Sequence, residues 1–165
     1  MILNLGCGND MYGDERVDFM ETISTTRILN LEEGRLPYED NSFDEIRLWR
    51  ILEHIKNMGT LISECFRVLK KGGKLDLITD HAGYIFYYIK DDHNYGWMDR
   101  KDYIKHKDDH HYHLFVDSHL RYLLKDFSEI ETSYPKFKRK WWRNLILYSL
   151  PFKLGYSEIK VVAIK

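Results

Sequence analysis

The sequence predicts an α/β fold: a doubly wound, mostly parallel sheet closed by an antiparallel C-terminal strand. Three observations predict it. A short apolar strand, Ile2–Leu5, runs straight into a Gly6-Cys7-Gly8 turn. Further short strands follow, and a helix-period segment lies between two of them, as in folds that alternate strand and helix. Two last extended segments, 130–133 and 158–165, read as closing strands.

Each element has its own reason. Residues 2–5 are too few for a helix and end at glycine. A glycine turn there lets the backbone approach a ligand, and open α/β sheets bind ligands at the carboxyl ends of their strands. Residues 16–18 and 27–30 are the second and third strands. Leu36-Pro37 then breaks the chain, Glu39-Asp40-Asn41-Ser42 forms a turn, and 45–49 is the fourth strand. Thr60 is placed to cap a helix from Leu61 to about Lys70, with Leu61, Ile62, Cys65, Phe66, Val68 and Leu69 at helical spacing. Lys70-Lys71 suits the negative end of that helix, and Gly72-Gly73 stops it before a fifth strand at 74–79. Residues 81–115 are dense in His, Tyr and Asp and show no clean period. Asp117 or Ser118 caps a helix to Phe127 with Leu120, Leu123 and Leu124 on its apolar side.

The 165 residues suit one domain, 1–165, with no repeat or linker. The composition, 44% hydrophobic and 31% charged, reads as soluble and globular. Net charge is −1, but residues 1–60 hold 12 acidic and 6 basic side chains, leaving 14 and 19 for the remainder. Two cysteines, Cys7 and Cys65, make no disulfide framework, and the start lacks the regions of a signal peptide, so a cytoplasmic setting is expected. No apolar run approaches the roughly 20 residues of a spanning helix.

Three blocks carry a resemblance. They are Leu3-Asn4-Leu5-Gly6-Cys7-Gly8; the stretch from Leu36-Pro37-Tyr38 through Asp40-Asn41-Ser42-Phe43-Asp44 to Ile46; and Leu52-Glu53-His54-Ile55 followed by Glu64-Cys65-Phe66-Arg67-Val68-Leu69-Lys70-Lys71-Gly72-Gly73. In this order and spacing, over about residues 1–80, they resemble the class I S-adenosylmethionine-dependent methyltransferases, in particular their small generic branch. The resemblance implies a Rossmann-like sheet and S-adenosylmethionine as cofactor. It places Asn4, Gly6, Cys7 and Gly8 at the cofactor. Asp18 matches the family's acidic ribose ligand. Asn30 stands where the family usually has Asp facing adenine, and Leu31 would cover the ring. Backbone carbonyls of Trp49 and Arg50 would face the cofactor's ammonium group. The Trp49 indole could lie near the sulfonium or serve as a core aromatic. His54 would orient the cofactor loop.

The residues agree with a cofactor that has no phosphate. A dinucleotide needs a helix N-terminus for its pyrophosphate. Here Met11 replaces the third glycine of such a motif, and residues 9–15 are too short for a helix. The same shortness is a departure, because the family normally has helices before the first strand and between the first two. Residues 9–15 would cross in extended form. One sheet face would then be covered by the C-terminal segment or by a second subunit, a homodimer. Arg16 or the backbone near Asn9 would replace a missing ligand of the cofactor's carboxylate.

Methyl transfer needs alignment above all, and a base only where the acceptor holds its proton. Candidates at the ends of strands four and five are Arg50, Asp80 and His81, with His81 first as base. His111 and His113 belong to the run Asp108-Asp109-His110-His111-Tyr112-His113, which reads as a lid over the substrate or as a solvated loop. Its spacing fits no structural zinc site, and no metal is expected. The basic, aromatic segment 136–152 would pack on the sheet or make a peripheral membrane contact. No nucleic-acid module accompanies it. The expectation is methyl transfer from S-adenosylmethionine to a small molecule, a sugar or a lipid-linked saccharide. A silent S-adenosylmethionine-binding regulator or partner subunit is the alternative, and a nicotinamide enzyme is a third reading.

Overall fold

The computed structural model describes residues 1–84, 111–136, 149 and 151–165. Among these, seven strands form one sheet. They are β1 (Ile2–Leu5), β2 (Glu15–Asp18), β3 (Arg27–Ile28), β4 (Phe43–Trp49), β5 (Leu69–Asp80), β6 (Ser128–Ser133) and β7 (Glu158–Ile164). Helix α1 spans Met58–Val68 and α2 spans Asp117–Leu123. The strand order is β3-β2-β1-β4-β5-β7-β6. All pairs are parallel except those of β7, which runs antiparallel to both β5 and β6. This is the mixed, Rossmann-like sheet the sequence predicts.

Alternation along the strands gives the sheet two unlike faces. Leu3, Ile46, Leu75 and Ala163 stand in register, as do Leu5, Leu48, Leu77 and Val161. All eight are buried and belong to the core, with Leu61, Ile62, Cys65 and Val68 of α1 and Leu120 of α2. The other face carries Glu45, Arg47 and Trp49 beside Lys74, Asp76 and Lys160. Its charges are paired: Lys74 with Glu45 at 2.9 Å, Lys160 with Asp76 at 3.0 Å, and Arg47 with Asp10 at 3.0 Å. Parallel sheets are normally apolar on both faces because helices cover both. Here one face is dressed with ion pairs and aromatic rings instead.

The link between β1 and β2 crosses without a helix, as expected from its length. Asp14 N donates to Ile2 O at 2.9 Å, and Ile2 N donates to the Asp14 carboxylate at 2.7 Å. Tyr12 from this link lies over the polar face, its hydroxyl donating to Glu45 at 2.8 Å. The Arg47 guanidinium is held between the Tyr12 and Trp49 rings, 4.4 and 3.2 Å from their centroids.

Several element bounds differ from expectation. Asn57, not Thr60, precedes α1, and Thr60 Oγ1 donates to the Asn57 side chain at 2.9 Å. Gly72-Gly73 does not end the helix. The chain turns extended at Leu69, which pairs with Phe43, and the glycines lie within β5 against Lys165 at the chain end. The third strand stops at Ile28 because Asn30 opens a 3-10 turn, Leu31–Glu33, and its side chain accepts from Glu32 N at 3.1 Å. Asp117 is the first residue of α2 rather than its cap. Its carboxylate accepts from Thr132 Oγ1 at 2.5 Å and Arg121 Nε at 2.9 Å, and the helix ends at Leu123 rather than Phe127.

Candidate functional site

The site lies at the carboxyl ends of β1, β2 and β4. Leu5 is paired on both sides, to Val17 and to Leu48, so the chain leaves the sheet at Gly6 with its direction fixed. Gly6 has φ +70°, and a Cβ there would stand 2.6 Å from Ile51 Cγ1. Only glycine combines that conformation with that contact. Gly6 N and Cys7 N both donate to Val17 O, at 2.8 and 3.0 Å, which folds the turn against β2.

Val17 is followed by Asp18, whose carboxylate sits under the turn. One oxygen accepts Gly8 N at 2.8 Å and the other accepts Met20 N at 3.3 Å. Each carboxylate oxygen can take a second donor. Asp18, Gly6 and Gly8 all line a cavity of about 530 Å³. Asn30, Leu31 and Glu32 form another wall, and Arg50, Ile51, His54 and Tyr112 a further one. Glu32 ties two of these walls, since its carboxylate accepts Lys56 N at 2.7 Å and Asn57 N at 3.2 Å. Arg50 turns the chain at the end of β4 with φ +54°, a conformation costly for a residue with a Cβ. It is held by Arg50 N donating to Ile78 O at 2.7 Å and by Arg50 Nε donating to Glu158 at 2.5 Å.

A carboxylate under a bare glycine turn suits a ribose diol. No helix begins after the turn, and Met11 stands at the third glycine position, so nothing here is built for a pyrophosphate. Residues 13–77 match the family model described as "Methyltransferase domain". Over these 65 of its 165 residues the chain is similar to that methyltransferase domain. Solved structures agree in fold. An S-adenosylmethionine-dependent methyltransferase from Archaeoglobus fulgidus is similar with a TM-score of 0.68 and 14% identity, over 99% of this chain and 85% of that one. One from Mesorhizobium loti gives 0.66 and 18%, over 99% and 90%. Phosphoethanolamine N-methyltransferase 2 of Haemonchus contortus, in complex with S-adenosyl-L-methionine, gives 0.62 and 17%, over 99% and 48%. A comparison with curated proteins finds no match.

The fold places seven of the expected cofactor residues on the cavity: Gly6, Gly8, Asp18, Asn30, Leu31, Arg50 and His54. Three others point elsewhere. Asn4 lies on the polar sheet face, donating to Tyr12 O at 3.2 Å. Cys7 Sγ packs toward Ser24 and Thr25, which close the turn from outside. Trp49 shares a face with Arg47, its indole N–H donates to Asp76 at 3.2 Å, and it does not line the cavity. Arg16 likewise does not line the cavity. Its guanidinium donates to Gly13 O at 2.7 Å and Ser24 O at 2.6 Å, bracing the β1–β2 link.

Beyond Arg50, the ends of β4 and β5 gather titratable groups. His111 Nδ1 is 2.6 Å from Asp80 Oδ2. The His111 ring stands edge-on to His54, 4.3 Å between centroids, and so adjoins the cavity. Glu53 is 1% exposed, and its carboxylate accepts Thr79 Oγ1 at 2.7 Å. Burial, and then the nearby Asp80 charge, push the Glu53 carboxyl up to about 7. Glu53 O accepts Tyr112 N at 2.8 Å and His113 N at 3.3 Å, which fixes the segment carrying His111. Glu53 was not singled out from sequence, although a charged residue between Leu52 and Ile55 in a short helical turn was a visible signal.

The remaining candidates do not join this group. His81, expected first as base, is 4% exposed with Nδ1 on Tyr156 O at 3.0 Å, and burial lowers its pKa. Its ring packs against Tyr134 rather than the cavity. His113 is not in the cavity wall, and its Nε2 has no hydrogen-bond partner among the described residues. Residues 108–110 of the His/Asp run lie outside the described residues, as do 137–148 and 150 of the basic segment. Among the described residues no helix is long and apolar enough to cross a membrane.

Proposed function

We propose that this methyltransferase holds S-adenosylmethionine in the cavity between the Gly6–Gly8 turn, Asp18 and the Asn30–Leu31 wall, and methylates a small-molecule acceptor. The cofactor supplies an electrophilic methyl group with a thioether leaving group. Asp18 would accept from the ribose hydroxyls while retaining its bonds to Gly8 N and Met20 N. Asn30 and Leu31 would meet the adenine, with Asn30 Oδ1 already committed to Glu32 N. Gly6, Arg50 and His54 would frame the amino-acid end. The observation that carries this reading is the Asp18 carboxylate, seated under Gly8 and open to the cavity.

The acceptor would enter beside Arg50, Tyr112 and the His111–Asp80 pair. An imidazole held by a carboxylate is suited to take a proton from an oxygen or nitrogen acceptor. That pair replaces His81 in the role expected from sequence. The Haemonchus neighbour acts, by its name, on phosphoethanolamine, which supports a small polar acceptor here too. No nucleic-acid partner is proposed.

The test is a transfer assay with labelled cofactor against panels of sugars, lipid-linked saccharides and small amines, read as S-adenosylhomocysteine release. Transfer to one panel, lost in Asp18→Ala, supports the reading. Cofactor binding with no transfer to any panel would favour a regulatory subunit.

A further inference from the structure

Three side chains at the inner end of the site converge from separate parts of the chain. Glu53 comes from the 3-10 turn Leu52–His54 after β4, Asp80 from the end of β5, and His111 from the segment before α2. One carboxylate oxygen of each acid and one imidazole nitrogen all lie within 4.8 Å of one another. We propose that Glu53, Asp80 and His111 form a site for a divalent transition-type cation.

The donor chemistry selects the ion. One imidazole and two carboxylates suit zinc or manganese, whereas magnesium and calcium prefer oxygen and water throughout. At ligand distances of about 2.0–2.2 Å, tetrahedral donors stand about 3.3–3.6 Å apart, so the widest pair of this cluster must close by up to about 1.5 Å as an ion binds. Three protein ligands leave a coordination position open, as in catalytic rather than structural sites. Both acids are buried, and buried charges are normally paired or bound to a metal. Arg50 lies within electrostatic reach of both acids while its Nε donates to Glu158 at 2.5 Å, and the Thr79 hydroxyl already orients Glu53. His111 Nδ1 and Asp80 Oδ2, now 2.6 Å apart in a hydrogen bond, would turn to the ion instead, so ion binding and the base role proposed for His111 are alternatives. The chain spacing of the His/Asp run gave no such site, because only His111 is drawn from it.

The experiment needs neither cofactor nor acceptor, so its outcome is separate from the methyl-transfer reading. The 165-residue chain, stripped with chelator, is titrated with zinc and with manganese by calorimetry. One saturable ion per chain is expected, weakened about tenfold or more in Glu53→Gln and in His111→Ala. Cobalt(II) added to the unmutated protein should show the absorption bands of a nitrogen- and oxygen-ligated ion, which guards against variants that fail to fold. Absence of saturable binding, a spectrum of free aqueous cobalt, or folded variants that bind as well as wild type would each overturn the site.

Discussion

Gly8 N donates to Asp18 Oδ2 at 2.8 Å, joining the turn after β1 to the last residue of β2. This bond does two things at once. It shapes the glycine turn, and it holds the carboxylate at the wall of the cavity. Asp18→Ala should therefore weaken S-adenosylmethionine binding by about tenfold to a hundredfold, the range of one charged hydrogen bond or slightly more. Asp18→Asn should lose less, because its amide oxygen can still accept Gly8 N. Calorimetric titration of both variants checks the order.

The contact between Gly6 and Ile51 gives a second prediction. In Gly6→Ala the new Cβ meets Ile51 Cγ1 at 2.6 Å, and φ is +70°. A loss of about 1–3 kcal/mol in folding stability is expected, with cofactor binding impaired. Adding Ile51→Ala should relieve the clash but not the backbone strain, so recovery should be partial. Urea unfolding of the single and double variants measures it.

Glu53 makes stability depend on pH in a defined direction. Its carboxyl is raised in the folded protein from 4.5 to about 7. Between those values the folded state binds a proton that the unfolded state has released. Stability therefore falls as pH rises from about 4.5 to about 7, and this contribution is level on either side. The full cost above pH 7 is of order 3 kcal/mol for such a shift. In chelator, Glu53→Gln should flatten this part of the stability profile and stabilise the protein at pH 8. A profile unchanged by the substitution would contradict the account.

The polar sheet face predicts a separation of stability from binding. Trp49 is 37% exposed and stacks on Arg47 at 3.2 Å, away from the cavity. Trp49→Ala should cost about 1–2 kcal/mol of stability through the lost cation–π contact and packing. Cofactor affinity should stay unchanged. A matching loss of affinity would restore Trp49 to the cofactor site.

How much of this was legible in the sequence depends on the range of the interaction. The strand-to-glycine junction at Leu5-Gly6 and the acid closing β2 are local signals, and the structure places both at the cavity. The position of Trp49 was legible too, because Glu45, Arg47 and Trp49 alternate with Ile46 and Leu48. A period of two puts the indole on the polar face. Asn4 could have been assigned to the polar face on the same ground, since Leu3 and Leu5 take the core face. The His111–Asp80 pair was beyond local reading. Those residues are joined only through folding, and His81, adjacent to Asp80 in sequence, is drawn by Tyr156 O into the opposite packing. Helix α1 was placed correctly in type but not at its ends. There, pairing of Leu69 with Phe43 outweighed the stop signal of Gly72-Gly73.

The central claim is that Asp18 and the Gly6–Gly8 turn together hold an adenosine that carries no phosphate. A crystal structure of the protein with S-adenosylhomocysteine tests it most directly. The account predicts both ribose hydroxyls on the Asp18 carboxylate, with the adenine against Asn30 and Leu31. A nucleoside bound elsewhere, or a ribose turned away from Asp18 with the cavity wall unchanged, would contradict it.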